Sequence, residues 1–387
     1  TVDAGFYKLA SLGDYVWADN NNNGLQDDGA ASGVNGVTVN LRRPDGTLVA
    51  TTTTANDGSG NAGYYLFKDL VPGDYKVEFV KPNGYTFAKQ DQGGDAGDSD
   101  VNAATGLTIV TTLESGENDL SWDAGLVRLA SLGDRLWIDA DGDGEQDAGE
   151  AGVVGATVTL IGGGADGVIG TGNDDTTATT TTGANGIYSF SGLNVGEQYQ
   201  VQFSAPNGAV FTQQNASGDT VDSDADRTTG KTQIVTLSAG ENNTTLDAGV
   251  YAPVSIGDKV FDDKNADGKQ GDTEPGIDGV KVRLYNCVTN VLVAETTTAN
   301  GGIYNFAGLP PGTYHVVFET PNGFVQTTAD VGGDDAKDSD AGAGGVTGCY
   351  TLSSGQSNTT VDAGFYKLAS LGDYVWADNN NNGVQDD

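Results

Sequence analysis

The sequence predicts an all-β protein built as a tandem array of β-sandwich modules, and three observations carry that expectation. The stretch Ser-Leu-Gly-Asp-Tyr-Val-Trp-Ala-Asp at residues 11–19 returns, with substitutions, at 131–139, 255–263 and 370–378. The spacings are 120, 124 and 115 residues, each the size of one ordinary domain. Between the copies, apolar and polar residues alternate over short runs, the period of a strand with one buried face. Gly accounts for 59 of 387 residues, and with abundant Thr, Asn and Asp it supplies turns in place of helices.

In the first repeat these signals place seven strands in order. Residues 12–18 open the repeat and run into an acidic loop. Residues 36–43 alternate through Val37, Val39 and Leu41, and Pro44, Asp45 and Gly46 then turn the chain into 47–54. The threonines of that segment favour strand because β-branching restricts χ1. Residues 63–68 carry Tyr65 and Phe67 two apart, and 74–80 alternate Tyr75, Val77 and Phe79 after a turn at 70–73. Residues 107–113 and 119–125 close the repeat. Alternation with one apolar face on every strand is the pattern of two stacked sheets.

Asp-Ala-Gly recurs at Asp3, Asp123, Asp247 and Asp362, each shortly before the next Ser-Leu/Ile-Gly-Asp, and marks where a module ends. The predicted division is 1–8 as the last strand of a preceding module, 9–127, 128–251 and 252–367 as three modules, and 368–387 as the start of a following one. Residues 1–28 match 360–387 with a single difference, Leu25 against Val384, as expected of a window on a longer array. Strand exchange between subunits is the competing reading. It needs a vacancy, yet module three carries its own final strand at 359–365.

Composition excludes several functions. Lys plus Arg number 18 against 54 Asp plus Glu, a net charge of −36, and nucleic acid needs the opposite sign of surface. The apolar runs are too short to span a bilayer. The chain has no Met and no signal peptide, which reads as an internal or processed segment. Two cysteines, Cys287 and Cys349, lie in the third module and are a candidate disulfide, which would require an oxidising compartment; two unpaired buried thiols are the alternative. One histidine, His315, in an alternating stretch and read as an exposed strand residue, leaves no repeated nucleophile–base set, so the protein is not expected to be an enzyme. Trp17, Trp137 and Trp376, with Phe261 in the same slot, read as core.

The acidic loops point to calcium. An EF-hand-type loop offers oxygens at positions 1, 3, 5, 7 and 12, with Gly at 6 for the sharp turn. Module two fits with Asp139, Asp141, Asp143, Gly144, the Glu145 carbonyl and Glu150. Module three fits with Asp263, Asn265, Asp267, Gly268, the Lys269 carbonyl and Glu274. Module one has Asp19, Asn21, Asn23, Gly24 and the Leu25 carbonyl, but Ala30 at position 12, so Asp27 or Asp28 is the candidate substitute and the site is expected to be weaker. Asp378, Asn380 and Asn382 repeat that weaker version.

A second acidic stretch follows in every module: Asp98 and Asp100, Asp222 and Asp224, Asp338 and Asp340, with Asp91, Asp95, Asp219, Asp330, Asp334 and Asp335 upstream. It is expected to close a cation site with the first loop, or with Asp14, Asp134 and Asp258 of the Gly-Asp step. An insertion at 165–175 in module two is a further candidate. Several calcium ions, about two or more per module, would offset roughly +12 of the negative charge.

Three further motifs recur in fixed order. Gly-x-Tyr-x-Phe stands at 186–190 and 302–306, Pro-Gly-x-Tyr at 311–314, and Pro-Asn-Gly at 82–84, 206–208 and 321–323. Together with Ser-Leu-Gly-Asp-x-Val-Trp and the acidic loop, the chain resembles the B-type repeats of Gram-positive surface adhesins, and most closely the SdrD B-like repeat. The resemblance covers essentially the whole chain. It implies prealbumin-like, Ig-like β-sandwich modules, an extracellular or cell-surface location, and structural calcium. Some B-type relatives form Lys–Asn isopeptide crosslinks, but no recurring Lys–Asn–acid set can be placed here.

The links between modules are about five residues, without Gly/Ser flexibility, so a stiff rod is expected, with three modules spanning on the order of 100 Å. Its partners would be neighbouring modules of the same array, with self-association into fibres as a further candidate. The functional expectation is a calcium-stabilised structural stalk or filament. A ligand-binding adhesin region recognising a host or surface molecule is the alternative.

Overall fold

The computed structural model describes residues 2–29 and 31–386. The first repeat forms nine strands: β1 (Ala10–Ala18), β2 (Thr38–Arg42), β3 (Leu48–Thr53), β4 (Tyr64–Leu70), β5 (Gly73–Phe79), β6 (Tyr85–Phe87), β7 (Thr111–Leu113), β8 (Asn118–Asp119) and β9 (Ala124–Arg128). One sheet runs β4-β1-β9-β6, with β8 also on β1, and the other runs β3-β2-β5-β7. β1 is antiparallel to β4 and parallel to β9. Along β2 and β5 every second residue is buried, as the alternation requires. Leu12, Val16, Val39, Leu41, Tyr65 and Val77, drawn from both sheets, share one core.

The same plan returns twice. Around the second repeat the outer sheet is Thr176–Thr181, Thr157–Gly162, Gln198–Phe203 and Val235–Thr236. The strand corresponding to β1 is split into Ala130–Leu132 and Leu136–Ile138. In the third repeat Val254–Asp262 pairs antiparallel with Ile303–Leu309 and parallel with Ala363–Tyr366. Cys287 and Cys349 are joined in a disulfide with their Cα atoms 6.0 Å apart. Among the described residues helix is confined to three short 3₁₀ turns, and no helix is long and apolar enough to cross a membrane.

The chain divides into two compact units. One comprises Thr1–Ile138, Asp143–Asn207 and Phe211–Val250, and the other Asp139–Gly142, Gly208–Val210 and Tyr251–Asp387. Within the first unit the linker carbonyl of Arg128 accepts the Gly240 N–H at 2.9 Å. Within the second, the Ala252 carbonyl accepts the Gly355 N–H at 2.8 Å.

Several sequence expectations change in detail. The strand expected over 107–113 is reduced to Thr111–Leu113 because the Thr108 hydroxyl, in place of a backbone carbonyl, accepts the Val77 N–H. The strand expected over 119–125 becomes β8 and β9, because the Asp123 carboxylate takes the Tyr15 N–H where a ladder bond would run. β6 was not expected at all. His315 is half-buried and stacks on Tyr285, with ring centroids 5.3 Å apart. Trp17, Trp137 and Phe261 are fully buried, whereas Trp376 is 42% exposed. Residues 2–9 and 367–386 form no strand, since neither segment has a neighbouring strand to pair with.

Candidate metal centre

In the three repeats the acidic loop begins at the end of the first strand, and its first residue is drawn into the interior: Asp19, Asp139 and Asp263 are fully buried. The turn is closed by its own backbone. Asp19 accepts from the N–H groups of Asn23 at 3.2 Å and Gly24 at 2.8 Å, and Asp263 accepts from Asp267 at 3.2 Å and Gly268 at 2.9 Å. Position 6 requires glycine, because Gly24 and Gly268 both have φ of +81° and Gly144 has +86°. In module two the ligand oxygens of Asp139, Asp141 and Asp143 lie within 4.8 Å of one another.

The glutamate at position 12 folds back over the loop in module three. Glu274 accepts the Lys264 N–H at 2.9 Å and the Gly271 N–H at 2.8 Å. In module two Glu150 accepts the Asp147 N–H at 3.0 Å. In module one Asp28 does the equivalent work, accepting the Asn20 N–H at 3.1 Å, while Asp27 binds the side-chain amides of Asn21 and Asn23. Ala30, the formal position 12, lies outside the described residues.

The second acidic stretch is brought onto the first loop in every repeat. Leu25 pairs with Asp98, Glu145 with Asp222, and Lys269 with Asp338. The flanking bond from Ser99 to the Gly24 carbonyl, 3.1 Å, recurs from Ser223 to Gly144 and from Ser339 to Gly268 at the same length. The residue offering the position-7 carbonyl is therefore the one that holds the second stretch. Every donor is a carboxylate, an amide oxygen or a backbone carbonyl, a set suited to a hard cation. The fit is supported by two buried carboxylate oxygens with no hydrogen-bond partner, Asp28 Oδ2 and Asp222 Oδ1.

The sequence reading grouped Asp98 with Asp100, Asp222 with Asp224 and Asp338 with Asp340, but the structure sends the two members of each pair to different places. Asp100 Oδ2 accepts the Asp123 N–H at 2.5 Å, Asp224 Oδ2 that of Asp247 at 2.8 Å, and Asp340 Oδ2 that of Asp362 at 2.6 Å. Burial pushes Asp100 and Asp123 up to about 8, Asp224 to about 6, Asp247 to about 9, Asp340 to about 7 and Asp362 to about 8. Asp14 rises to about 6 through burial and then the nearby Asp119.

The Asp-Ala-Gly motif read as a boundary marker thus carries a buried carboxylate. Its glycine makes room for the core ring: a Cβ at Gly125 would come within 3.0 Å of Trp17, and one at Gly364 within 2.7 Å of Phe261. In the insertion of module two, Asp166, Asp174 and Asp175 accept from the loop's own Thr171, Asp166 and Gly170 donors. The loop at Asp378 keeps the bonds from Asn382 at 3.1 Å and Gly383 at 2.8 Å, but no second acidic stretch is paired with it among the described residues.

Comparison with known proteins agrees with this repetition. The SdrD B-like domain matches the chain three times, over residues 10–126, 130–250 and 254–365. Serine-aspartate repeat-containing protein D of Staphylococcus aureus strain MW2 is 39% identical over 393 residues, covering 100% of this chain and 27% of that protein. Serine-aspartate repeat-containing protein F of Staphylococcus epidermidis is 40% identical over 387 residues, covering 97% of this chain and 21% of that protein. The chain therefore spans about a quarter of the length of these curated relatives. Among solved structures, BcpA, the major pilin subunit of Bacillus cereus, covers 93% of this chain and 100% of its own at 12% identity, with a TM-score of 0.37.

Proposed function

Because the chain belongs to the SdrD B-like domain family, we propose that it is a segment of a calcium-stabilised stalk or filament of a cell-surface protein. In this reading three modules, 9–127, 128–251 and 252–367, are joined end to end, and length and rigidity are their product. Calcium sits in the first loop of each module. Its ligands are Asp19, Asn21, Asn23, the Leu25 carbonyl, Asp28 and Asp98; Asp139, Asp141, Asp143, the Glu145 carbonyl, Glu150 and Asp222; and Asp263, Asn265, Asp267, the Lys269 carbonyl, Glu274 and Asp338.

The observation that carries the reading is the pairing of Leu25, Glu145 and Lys269 with Asp98, Asp222 and Asp338, which closes two acidic stretches on one another three times over. Carboxylates gathered in this way repel until a divalent ion neutralises them, and an ion bound only by the folded loop stabilises the fold by mass action. The bond at Arg128 supports a stiff connection between the first two repeats, as does the Asn22 side chain, which reaches from the first loop to the Val195 carbonyl at 3.2 Å.

Thermal unfolding of the full chain in calcium and then in excess EGTA, with a count of bound ions, tests the proposal. The expected result is several ions and a melting midpoint lowered by more than about 10 °C on chelation, with new protease sensitivity. An unchanged midpoint with no bound calcium would sink it.

The adhesin reading has one observation in its favour, a cleft of about 450 Å³ beside the insertion of module two, lined by Leu160, Gly164, Thr176, Asn194, Glu197 and Tyr199. Deleting residues 162–175 and measuring attachment separates the two functions, since a stalk is indifferent to the loss.

A further inference from the structure

We propose that the cleft of the second repeat is a binding site for a guanidinium group, the side chain of an arginine exposed on a partner protein, taken between the ring of Tyr199 and the carboxylate of Glu197. The inference deepens the adhesin reading of that cleft and owes nothing to the calcium sites.

The three repeats differ at one register position. In the first, β2 pairs Leu41 with Val77 and Arg42 with Lys76, so the next residue, Arg43, stands opposite Tyr75. In the second, the corresponding ladder pairs Leu160 with Val201 and Gly162 with Tyr199. In the third it pairs Leu284 with Val316 and Asn286 with Tyr314. The three tyrosines are equivalent. Each is buried, and its hydroxyl donates to a carbonyl in the turn before its strand: Val71 at 2.8 Å, Asn194 at 3.2 Å and Pro310 at 2.7 Å.

What faces the ring changes from repeat to repeat. In the first, the chain supplies its own cation: the guanidinium carbon of Arg43 sits 4.3 Å from the centre of the Tyr75 ring, and Nη1 donates to the Asp74 carbonyl at 3.4 Å. In the third, Asn286 is held by its own turn, its Oδ1 accepting the Val288 N–H at 3.0 Å and the Thr289 N–H at 2.9 Å. In the second, Gly162 brings no side chain, and the cleft of about 450 Å³ opens beside Tyr199. A Cβ at Gly162 would come within 2.8 Å of Glu197 Oε1, so the glycine admits the carboxylate to this place.

Glu197 is only 9% exposed. Its Oε1 accepts the Gly164 N–H at 3.1 Å, and its Oε2 accepts the Tyr199 hydroxyl at 3.0 Å and the Asn194 amide at 3.2 Å. All three donors are neutral, and no ion pair among the described residues includes Glu197. A carboxylate shielded from water and left without a counter-charge attracts a cation more strongly than an exposed one. Leu160 and Leu193 offer apolar wall for the methylenes of a long basic side chain. Arginine fits better than lysine, because its planar group stacks on a ring, forks onto a carboxylate and gives up water more readily. The cleft lies within the usual range of small-ligand pockets, roughly 300–1,000 Å³. A net charge of −36 draws basic partners towards it.

The test titrates N-acetylarginine amide into the full chain in calcium-containing buffer and follows backbone amide NMR shifts. Saturable shifts are expected at Gly164, Thr176, Asn194 and Tyr199, and none at Tyr75, where Arg43 already fills the place. Glu197→Gln should weaken binding about tenfold or more, and Gly162→Arg, which restores the side chain of the first repeat, should abolish it. The citrulline analogue, a neutral isostere, should not bind. Equal binding of N-acetyllysine amide would overturn the guanidinium assignment, and shifts spread over the acidic loops without saturation at the cleft would overturn the site. Should either variant not fold, the citrulline and lysine comparisons on the unaltered chain decide. Attachment lost on deleting residues 162–175, with no arginine binding by the intact chain, keeps the adhesin reading and overturns this one. Arginine binding with attachment unchanged by the deletion does the reverse.

Discussion

Residues 10–27 and 369–386 have almost the same sequence and very different structures, and the difference separates what is local in this protein from what is not. In the first copy the strand β1 lies between β4 and β9, and Trp17 is fully buried. In the second copy the same residues form no strand, Val375 is fully exposed and Trp376 is 42% exposed. The loop that follows is nonetheless alike in both. Gly24 and Gly383 donate to Asp19 and Asp378 at 2.8 Å each, and Asn22 and Asn381 have φ of 54° and 55°. A turn of this kind is held by bonds between residues two to five apart, whereas a strand exists only through partners far along the chain. The acidic loop is therefore written locally, and only a sandwich can supply the second acidic stretch that completes it.

The largest expected effect exploits the carboxylates that only the sandwich buries. Asp123, Asp100 and Asp362 are pushed by burial from an ordinary 3.8 to about 8. A carboxyl raised in the fold binds more protons there than in the unfolded chain. Its contribution is fully present below about pH 4 and is lost as pH rises through about 8. Metal-stripped protein should therefore lose stability progressively from pH 5 to pH 9, measured as the urea midpoint. A metal-free midpoint that climbs over this range would show that these groups are not desolvated together.

The next effect is the core ring itself. Trp17→Ala removes a fully buried side chain and should cost about 3–5 kcal/mol, whereas Trp376→Ala should change the unfolding free energy by less than about 0.5 kcal/mol. Equal losses from the two variants would mean that the second copy is packed as the first is, and the contrast between them would collapse.

How much of this was legible follows the same division. β2 and β5 were readable because Val39, Leu41, Tyr75, Val77 and Phe79 alternate with polar residues, and burial follows that alternation. The first loops were readable because the oxygen-bearing residues proposed to hold calcium lie in one short segment. β6 was not, since Tyr85, Thr86 and Phe87 are too few to show a period. The choice between Asp27 and Asp28 was open, and the bond from Asn20 and the buried, unpartnered Oδ2 distinguish Asp28. Asp123 was visible as part of a recurring motif, but its burial depends on β1 and on Asp100, residues over a hundred and over twenty positions away. Trp376 occupies the same slot as Trp17 in the sequence, but in residues 369–386 no paired strand covers it.

The smallest effect concerns how an ordered first loop is felt by the repeat after it. Asn22 combines two properties, a left-handed backbone and an amide that donates to Val195 at 3.2 Å. Asn22→Gly keeps the first and removes the second, so it isolates the hydrogen bond at about 0.5–1 kcal/mol, the low end for a partly exposed pair. Asn22→Ala removes both and adds the cost of a left-handed alanine, about 1 kcal/mol more. At position 381 the glycine variant should be silent in global unfolding, because the surrounding segment belongs to no sheet. Hydrogen exchange at Val195 and Gly196 supplies the decisive reading. It should quicken in Asn22→Gly with calcium bound, because the loop remains formed but no longer touches the turn. Unchanged exchange there would mean that the first loop stiffens only its own repeat, and that rigidity between repeats rests on the linker bonds alone.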